Sequence, residues 1–423
     1  MPVRDGLRAR VRTPPSRGES SIGPMTDSRT SGADPGLRGL LAGAVDALPE
    51  GRLAEQLTEG KTLRVKLGMD PTMPDLHLGH SVVLNRLRAF QDLGHLVVLI
   101  VGDYTARVGD PSGRDTTRPV LSPEEIEENT RTYTDQAFKV LDRERTEVRR
   151  NSEWLAMSSE ELFGLMRRFT VARLLERDDF AKRIESEQPI SALELLYPVL
   201  QGYDSVAVAA DVELGGSDQR FNLLFARAVQ ESFDMPPQSI LTMPLLPGTD
   251  GVRKMGKSYG NSVGITDPPE EMFGKLMSVP DDVMGDYYVL LLGREPDSEE
   301  HPGEAKRELA RRLVERFHGS DAARAAEQRF DRIHVDRELP DDIEEVVISA
   351  NDAVHLPALI AEQFDLSRSE SRRLIEQGGV RIAGAVVEPG RLDLPAAELD
   401  GRVLQVGRRR FRRLRVEGGE RGR

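Results

Sequence analysis

The chain has 423 residues, of which 38% are hydrophobic, and its formal net charge is −13. Its length is enough for about three domains, and the lack of cysteine in the sequence excludes disulfides and thiolate metal sites. The acidic balance argues against a protein that coats nucleic acid with its whole surface, and no apolar run approaches the roughly 20 residues that a membrane helix needs. We therefore expect a soluble, cytoplasmic protein with several domains.

Residues 1–36 are rich in Arg, Ser, Gly and Pro and have no apolar periodicity. Such a composition cannot bury enough apolar surface to offset the entropy of ordering the chain, which predicts a disordered tail. Its arginines are typical of a transit peptide, whereas Met25 offers a second start that would make the upstream part a spurious extension. We favour the second interpretation, and the choice between Met1 and Met25 stays open.

The segment from residue 62 to residue 101 follows the pattern strand, helix, strand. Leu63, Val65 and Leu67 alternate as in a strand with one buried face, and an amphipathic helical pattern then continues to Gly94. The next stretch, LVVLIVGD, is a continuous apolar run of the kind found in buried parallel strands. The segment therefore predicts a βαβ unit.

Charged residues and helical patterns dominate residues 121–190. At their start Ser122 can cap a helix, Pro123 suits its first turn and Glu125 completes a capping box. We expect this segment to form a helical insertion that interrupts the sheet. Apolar runs return at SVAVAADVELGG and SILTMPLLPG, and residues 268–336 are again mostly helical in pattern. The acidic stretch LPDDIEEV that follows predicts a linker.

The heptapeptide PDLHLGH places His77 and His80 around Gly79 at the predicted start of a helix. Unpaired backbone N–H groups at a helix start attract anions, and glycine removes a side chain where a ligand would lie close to the backbone. The phosphate and ribose of a nucleotide fit this place. For the histidines alone two alternatives stay open, a packed surface pair and half of a metal site.

The segment GVRKMGKSYGNS matches the expression G-x-x-x-x-G-K-[ST] of a phosphate-binding P-loop, from Gly251 to Ser258. A P-loop needs a strand that runs directly into its first glycine and a helix that begins at its lysine. Here PGTDG separates the strand from Gly251, and the glycines and prolines after Ser258 would break a helix. We therefore predict a mobile, glycine-flanked loop whose Lys254, Lys257 and Ser258 close over a polyphosphate.

Read together, these two segments resemble a known pair of motifs. HLGH is similar to the HIGH signature and KMGKS to the KMSKS signature of the class I aminoacyl-tRNA synthetases. The segments DPTMPDLHLGH, GDPSG, LYPVLQGYDS and VELGGSDQRFN resemble more narrowly the bacterial tyrosyl-tRNA synthetases, and the similarity runs from about residue 40 to residue 418.

The resemblance implies a ligase that activates L-tyrosine with ATP, releases pyrophosphate and transfers tyrosine to the 3′ end of its tRNA. It also implies a homodimer, with Mg²⁺ carried by ATP and no permanently bound cofactor or metal. Two other functions stay open: another nucleotidyl-transferring enzyme with the HIGH-type fold, and a catalytically silent, synthetase-like RNA-binding protein.

The resemblance further assigns roles to individual residues. Those expected to face the developing charge on ATP, and thus to be catalytic, are His77, His80, Lys254, Lys257 and Ser258. Those expected to bind the rest of ATP are Gly68, Asp70, Gly79, Gly216, Asp218 and Met255. Those expected to bind tyrosine are Thr105, Asp110, Tyr197, Gln201, Asp204 and Gln219. Asp70 is expected to serve the α-amino end of tyrosine as well.

Asp204 would accept a hydrogen bond from the phenol of the substrate. A buried carboxylate is costly unless a group donates to it, and phenylalanine would leave it unpaired. Rejection of phenylalanine would then need no editing domain, a discrimination for which tyrosyl-tRNA synthetases are the standard example. On its own, GYDS would rather predict a turn at the end of a helix.

Two positions depart from the usual pattern of these synthetases. Many of them have a tyrosine that shares the phenol contact at the position of Lys66, so the role of Lys66 stays open. The lysine-loop signature usually has serine where this chain has Gly256, which predicts a more flexible loop.

The last part of the chain is a basic module. Ser367 and Glu370 predict a capping box, the glycine pair in LIEQGG ends the helix, and VRI-AG-AVV predicts two short strands. Together with the terminal RRRFRRLR, the module resembles the S-four-type RNA-binding domain, which is named after a ribosomal protein. The arginines expected to contact RNA are Arg368, Arg372, Arg373, Arg381, Arg409 and Arg410. A solvated basic face is the alternative.

We therefore predict an α/β fold with a disordered tail and three domains. A Rossmann-like parallel-sheet catalytic domain is expected at 37–250, with the helical insertion at about 121–190 inside it. A lysine-signature loop with a helical domain and linker is expected at 251–346, and a small α+β RNA-binding domain at 347–418.

Overall fold

The computed structural model describes residues 35–111, 122–297, 301–334, 343–349, 353–407 and 410–417. The chain divides into two compact units between Arg324 and Ala325. Within the described ranges, no helix is both long and apolar enough to cross a membrane. The predicted tail, residues 1–36, lies outside these ranges apart from its last two residues, which begin the first helix.

The N-terminal unit contains a six-stranded sheet. Its strands are β1 (Asp46–Leu48), β2 (Arg64–Met69), β3 (Leu96–Val101), β4 (Thr146–Arg150), β5 (Val212–Gly216) and β6 (Ser239–Met243). Their order is β1-β6-β5-β2-β3-β4, and each neighbouring pair is parallel except β1 with β6. The predicted α/β class with a parallel sheet is therefore confirmed.

Helices account for most of the remaining N-terminal unit. They are α1 (Pro35–Leu41), α2 (Arg52–Thr58), α3 (Leu78–Asp92), α4 (Thr105–Val108), α5 (Pro123–Ala137), α6 (Ser152–Leu155), α7 (Ser159–Met166), α8 (Val171–Leu174), α9 (Asp178–Glu185), α10 (Ala192–Ala207), α11 (Arg220–Ser232), α12 (Pro269–Met277), α13 (Met284–Tyr287) and α14 (Pro302–His318). A π-helix, Tyr288–Leu292, follows α13, and α15 (Ser320–His334) contains the boundary between the units. The helical pattern predicted for residues 268–336 is confirmed over its described part.

The segment β2, α3 and β3 is the predicted βαβ unit. The two strands are parallel and in register along their whole length. Leu87 and Phe90 of α3 are fully buried, and the helix ends just before Gly94, whose φ of 92° favours glycine. An apolar alternation, an apolar helical face and a glycine stop are thus enough to specify this unit locally.

The predicted helical insertion at 121–190 was wrong in one respect, because it contains the strand β4. This strand pairs in parallel with β3 at the edge of the sheet, and all five of its side chains are only half-buried. An edge strand with the sequence TEVRR has neither an apolar run nor an apolar alternation. Helices α5 to α9 lie in the rest of the segment. The capping box at Ser122 and Glu125 is present, with N···O distances of 3.2 and 2.8 Å.

The strand order reverses at β2, since β3 continues the sheet on one side and β5 on the other. In open parallel sheets, ligands bind outside the carboxyl ends of the strands at such a point. Here β2 leads directly to Asp70, and β5 leads to Asp218 and Gln219. The topology therefore brings three of the predicted site residues to one edge of the sheet.

Close packing between α10 and α11 fixes a helix that carries several predicted site residues. A Cβ atom on Gly202 of α10 would lie 2.5 Å from a methyl carbon of Val229 and 3.1 Å from the Cα atom of Ala226, both on α11. Only glycine lets the two helices approach this closely. Gln201 and Asp204 lie in the same turn of α10 as Gly202.

The boundary predicted at residue 250 has no counterpart, because residues 251–324 belong to the same compact unit as the sheet. The backbone N–H of Leu78 donates to the carbonyl of Val263 at 2.9 Å, and that of Ile265 donates to the carbonyl of Leu76 at 3.1 Å. These bonds join the segment after the lysine loop to the start of α3. Sequence periodicity cannot reveal hydrogen bonds between segments so far apart in the chain.

The C-terminal unit is a small α+β structure. Its strands are β7 (Glu345–Ser349), β8 (Ala353–His355), β9 (Val380–Ile382), β10 (Ala385–Val386), β11 (Asp393–Pro395), β12 (Val403–Val406) and β13 (Arg410–Glu417), and its helices are α16 (Leu356–Phe364), α17 (Arg368–Glu376) and α18 (Ala396–Leu399). Five strands form a sheet in the order β10-β9-β12-β13-β7, and β8 pairs with β11. Its core includes Leu356, Ile360, Ile375, Leu404 and Leu414.

Two predictions for this unit need correction. The predicted boundary at residue 347 falls inside β7, which pairs in parallel with β13, so part of the acidic segment is a strand and not a linker. Its pairing partner is distant in sequence and left no local signal. Ser367 caps α17 by accepting from the N–H of Glu370 at 3.1 Å, but the described hydrogen bonds include no return bond from the Glu370 carboxylate. The hairpin of β9 and β10 is confirmed, with positive φ at Ala383 and Gly384.

Candidate active site

The two histidines cap the N-terminus of α3 as a reciprocal pair. Nδ1 of His77 accepts from the N–H of Gly79 at 3.2 Å, and Nδ1 of His80 accepts from the N–H of His77 at 3.2 Å. Because each Nδ1 accepts, the proton of each neutral ring is on Nε2. A Cβ atom on Gly79 would lie 2.9 Å from the His77 ring, so glycine is required there. The pair thus presents two N–H donors at a helix start.

Both histidines are neutral near pH 7. Burial lowers the pKa of His77 far below its ordinary value, and His80 and Lys257 lower it further. Burial lowers the pKa of His80 to about 4, opposed by its hydrogen bond to the His77 backbone and reinforced by Lys257. The histidines can therefore donate hydrogen bonds to an anion, but the positive charge at this place must come from the lysines.

The lysine loop places its two lysines against acidic side chains. Nζ of Lys254 lies 2.9 Å from a carboxylate oxygen of Asp218, and Lys257 pairs with Asp75. Ser258 lies in the three-residue 3₁₀ turn Lys257–Tyr259, which Gly260 ends with a φ of 66°. No long helix begins at Lys257, which confirms that the segment is not a P-loop.

One side chain that the sequence did not reveal, Asn261, organises the lysine loop. Its Oδ1 accepts from the N–H of Gly256 at 2.9 Å, and its Nδ2 donates to Asp250 at 3.1 Å and to the carbonyl of Lys254 at 3.2 Å. The φ of Gly256 is −168°, which any residue adopts, but a Cβ atom there would lie 3.1 Å from the Tyr259 ring. Glycine at 256 therefore makes room for Tyr259.

Asp70 lies at the reversal point of the sheet and is held by two hydroxyl donors. The Thr105 hydroxyl donates to one carboxylate oxygen at 2.7 Å, and the Tyr197 hydroxyl donates to the other at 2.9 Å. Burial raises the pKa of Asp70 to about 7, opposed by the Thr105 hydrogen bond and reinforced by the charges of Asp110 and Asp204. Carboxyl groups that raise one another's pKa favour a bound cation.

Asp110 and Gln219 form a second part of the same site. Nε2 of Gln219 donates to Asp110 at 2.7 Å, and Oε1 of Gln219 accepts from Asn222 at 2.9 Å. Arg177 in turn donates to Asn222 at 2.8 Å. This chain of bonds fixes both ends of the Gln219 amide.

Asp204 is buried on α10 and bound by two donors that the sequence analysis missed. Nε1 of Trp154 donates to Oδ1 at 2.8 Å, and Nδ2 of Asn151 lies 3.5 Å from Oδ2 while donating to Thr105 at 2.9 Å. Burial raises the pKa of Asp204 to about 7, opposed by the charge of Lys66 and by these two donors. A signal existed, because Trp154 is the single tryptophan of the chain.

Lys66 lies on β2 beneath these groups and forms a buried pair with Glu213 of β5, with Nζ 2.8 Å from Oε1. Glu213 was not predicted as a site residue. The sequence did offer a signal, because Glu213 is a charged residue inside the otherwise apolar run SVAVAADVELGG. In the sheet it lies directly opposite Lys66 of the neighbouring strand.

Hydrogen bonds join several of the predicted residues of the N-terminal unit. Asp70 bonds with Thr105 and Tyr197, and Asp110 bonds with Gln219. A Cβ atom on Gly79 would lie 3.6 Å from Met255, and one on Gly216 would lie 2.7 Å from Asp218. A Cβ atom on Gly68 would meet open space, so protein atoms do not require glycine there.

In the C-terminal unit, Arg368, Arg372, Arg373, Arg381 and Arg410 are exposed, whereas Arg409 lies outside the described residues. Strand alternation directs Arg381 away from the buried side to which Val380 points. Arg381 therefore lies on the face of the sheet that points away from the core. The single cationic surface stays a prediction.

Comparisons with known proteins bear on this site. A family model described as "tRNA synthetases class I (W and Y)" matches residues 58–335. A tyrosine–tRNA ligase of Methylococcus capsulatus is 47% identical over 390 residues, which cover 89% of this chain and 98% of the relative. That of Thermotoga maritima is 49% identical over 389 residues, with 89% and 96% covered.

Solved structures show the same fold. The tyrosyl-tRNA synthetase of Archaeoglobus fulgidus, complexed with L-tyrosine, aligns with a TM-score of 0.56 at 22% identity and covers 69% of this chain and 98% of its own. A C-terminally truncated mitochondrial tyrosyl-tRNA synthetase of Coccidioides posadasii aligns with a TM-score of 0.57 at 22% identity, covering 70% and 92%.

The chain therefore belongs to the class I tRNA synthetases of the tryptophan and tyrosine type, and it is an enzyme that aminoacylates tRNA. Within that class it belongs to the tyrosine–tRNA ligases, whose members share about half of its residues over nearly their whole length. The two alternative functions receive no support.

Proposed function

We propose that this site activates L-tyrosine with ATP and then transfers tyrosine to the 3′ end of its tRNA. The observation that carries the proposal is the pair of carboxyl groups of Asp204 and Asp70, the first buried and the second half-buried. Asp70 follows β2 at the carboxyl edge of the sheet and accepts from Tyr197, and the histidines cap the start of α3. One end of the arrangement suits a phenol and an ammonium group, and the other suits a polyphosphate.

For tyrosine, Asp204 accepts the phenol hydrogen bond, and Trp154 and Asn151 hold the carboxylate in place for it. The α-ammonium group lies among Asp70, Asp110, Tyr197 and Gln201. Gln219 orients the carboxylate end through its bond to Asp110, and Thr105 lines the pocket and fixes Asp70.

For ATP, the two neutral histidines donate Nε2–H groups to phosphate oxygens, and Lys254, Lys257 and Ser258 supply charge and a hydroxyl. Lys254, which pairs with Asp218 in this structure, moves to the phosphates when ATP binds. Asp218 is then free to bind the ribose. Backbone at Gly68, Gly79 and Gly216 approaches the nucleotide closely, and Met255 packs against it. Mg²⁺ enters with ATP as part of the substrate.

The chemistry needs positioning and charge stabilisation, and no covalent enzyme intermediate. A carboxylate oxygen of tyrosine attacks the α-phosphorus, the bond to the bridging oxygen breaks, and pyrophosphate leaves with the electron pair. A ribose hydroxyl of the tRNA then attacks the carbonyl carbon of tyrosyl-adenylate and AMP leaves. The lysines and histidines meet the departing pyrophosphate.

The C-terminal unit acts as an S-four-type RNA-binding domain that contacts tRNA. Arg368, Arg372 and Arg373 share the exposed side of α17, while Ile375 of the same helix is buried. Arginines held on a folded helix bind phosphates without the ordering cost of a flexible tail. Arg409 and Arg410 are further arginines that contact RNA, and Arg381 contacts it from the other face of the sheet.

The enzyme works in the cytoplasm as a homodimer. Consecutive helices α7 to α10 expose large apolar side chains: Phe163, Val171, Ile184 and Leu193. A second copy of the chain would cover them. Sedimentation should show a dimer, and the substitutions F163D and I184D should increase its dissociation. The control is L93D, which changes an exposed leucine at the end of α3. A monomer at micromolar concentration would contradict the proposal.

The decisive test of the function is ATP–pyrophosphate exchange with each amino acid in turn. Exchange should depend on L-tyrosine and be negligible with L-phenylalanine and L-tryptophan, because only a phenol donates to Asp204. Asp204→Ala should lose this discrimination before it loses ATP binding. Equal exchange with phenylalanine would refute the assignment of Asp204.

A further inference from the structure

A buried lysine and a buried glutamate meet beneath the tyrosine site, in a place where neither can touch the substrate. Lys66 of β2 and Glu213 of β5 are direct partners in the sheet, and their side chains are 0% and 1% exposed. Two charges removed from water are costly unless they are paired and fully hydrogen-bonded. The surrounding contacts therefore decide what the pair can do.

The ammonium group of Lys66 has three acceptors for its three hydrogens. They are Oε1 of Glu213 at 2.8 Å, the Ser205 hydroxyl at 2.8 Å and the main-chain carbonyl of Gln201 at 3.0 Å. Two of the three acceptors belong to α10, on either side of Asp204 in the chain. Lys66 thus ties the helical turn that carries Asp204 to the sheet.

The carboxylate of Glu213 accepts from three further donors. The Gln201 amide donates through Nε2 at 3.2 Å, Ser205 donates through its hydroxyl at 3.2 Å, and Gln238 donates through Nε2. A carboxylate paired with lysine has no hydrogen to give, so every neighbour must present a donor to it. Gln201 must therefore turn its NH₂ group toward Glu213.

This orientation leaves the other end of the Gln201 amide unused. Its Oε1 is buried and has no hydrogen-bond partner within the described part of the chain. An unpaired buried carbonyl oxygen is costly, and a substrate ammonium group is the donor that the proposed function brings to this residue. With the opposite orientation, Gln201 would present hydrogens to that ammonium group and repel it.

We infer that Lys66 and Glu213 form a positioning pair, which holds the amide oxygen of Gln201 toward the α-ammonium group of tyrosine. The inference rests on the tyrosine site proposed above and goes beyond it, because it gives Lys66 a role other than the phenol contact. The pair acts through Gln201 and Ser205 and never touches substrate.

The test separates recognition of the ammonium group from recognition of the phenol. L-Tyrosine carries both groups, whereas 3-(4-hydroxyphenyl)propionate carries only the phenol and competes for the same pocket. In the neutral double variant Lys66→Met/Glu213→Gln, no charge forces the Gln201 orientation. The KM for tyrosine in ATP–pyrophosphate exchange should rise about tenfold or more, as expected for a lost bond to a charged group. The KM for ATP should change less than about twofold. The inhibition constant of the propionate should also change less than about twofold when it is measured near pH 9, because loss of the Lys66 charge raises the pKa of Asp204 and only a pH well above about 7 keeps this carboxylate ionised.

The exchanged pair Lys66→Glu/Glu213→Lys makes the test sharper. It keeps both charges in the same space but places a donor beside Gln201, so the amide must turn its oxygen away from the substrate. Tyrosine binding should then be weaker than in the neutral variant, with inhibition by the propionate retained. Thermal unfolding shows whether each of the two variants is folded. The KM for tyrosine of a folded variant then tests the inference.

Two results would overturn the inference. If a folded variant keeps the wild-type KM for tyrosine, the pair only stabilises the sheet. If tyrosine and the propionate lose affinity equally, the pocket has changed as a whole and Gln201 is not the target. Failure of the proposed function itself would look different, since the unmodified enzyme would then show no exchange that depends on tyrosine.

Discussion

Trp154→Phe removes one hydrogen-bond donor from the tyrosine site and keeps an aromatic ring in place. The indole N–H lies 2.8 Å from Oδ1 of Asp204, and hydrogen bonds to charged groups contribute about 1.5–3 kcal/mol. Because the bond stabilises only the ionised carboxylate, its loss raises the pKa of Asp204. One pKa unit corresponds to about 1.4 kcal/mol, so a rise of at least about one unit is expected.

The effect on binding follows from the ionisation of Asp204, whose pKa in the unmodified enzyme is about 7. The phenol donates a much stronger hydrogen bond to the ionised form than to the neutral carboxyl group, so tight binding is present above this pKa and is lost as the pH falls through it. At pH 7 the ionised fraction should fall from about one half to about one tenth. The affinity for tyrosine should therefore fall about fivefold at pH 7 and recover near pH 9.

The assay is the pH dependence of kcat/KM for tyrosine in ATP–pyrophosphate exchange. The acidic limb should move upward by about one pH unit in the variant, while KM for ATP stays constant. Asp70 also titrates near pH 7, so the difference between the two enzymes isolates Asp204. Tyr203→Phe, a change of the neighbouring ring on α10, is the matched control. An unshifted limb in Trp154→Phe would refute the role of the indole donor.

Three further predictions concern the loop, the helix packing and the C-terminal unit. Lys254→Ala and Lys257→Ala should each strongly lower the rate of adenylate formation and leave the Kd for tyrosine almost unchanged, because both lysines contact pyrophosphate chiefly in the transition state. Equal losses of rate and of tyrosine affinity would show that the loop has only a structural role. Gly202→Ala should lower the free energy of unfolding by about 1–3 kcal/mol, because the added methyl group clashes between α10 and α11. The control is Gly164→Ala on α7, where a Cβ atom meets nothing within 4 Å. In the same thermal unfolding experiment this control should be neutral or stabilising. Truncation after His334 should keep tyrosine-dependent exchange but sharply reduce tRNA charging. The tRNA affinity of the full chain should depend more steeply on salt than that of the truncated form. Undiminished charging by the truncated form would show that the arginines are only a solvated face.

Local sequence was enough wherever an element is specified by its own residues. The capping box at Ser122 and Glu125 and the glycine stop of α3 appear as predicted. The hairpin turn at Ala383 and Gly384 does as well. Each depends on bonds or dihedral angles within a few residues. The motif residues of the site were also accessible, because they sit in short segments with recognisable spacing.

Edge strands were not accessible in this way. Neither β4 nor the acidic start of β7 has an apolar alternation, and each exists because a partner strand, β3 or β13, offers an unpaired edge. The exposed side chains of an edge strand are free to be polar, so their sequence looks like that of a helix or a linker. Only the folded sheet decides where such strands lie.

The sequence by itself determined the α/β class, the order of the first strands and the two motifs that define the synthetase family. The tertiary structure decided which groups support those motifs: Trp154 and Asn151 behind Asp204, Glu213 beside Lys66, and Asn261 inside the lysine loop. These residues act through side-chain hydrogen bonds between segments that are separated in the chain. A hydrogen bond depends on distance and angle in space, and linear spacing carries no record of either until the chain has folded.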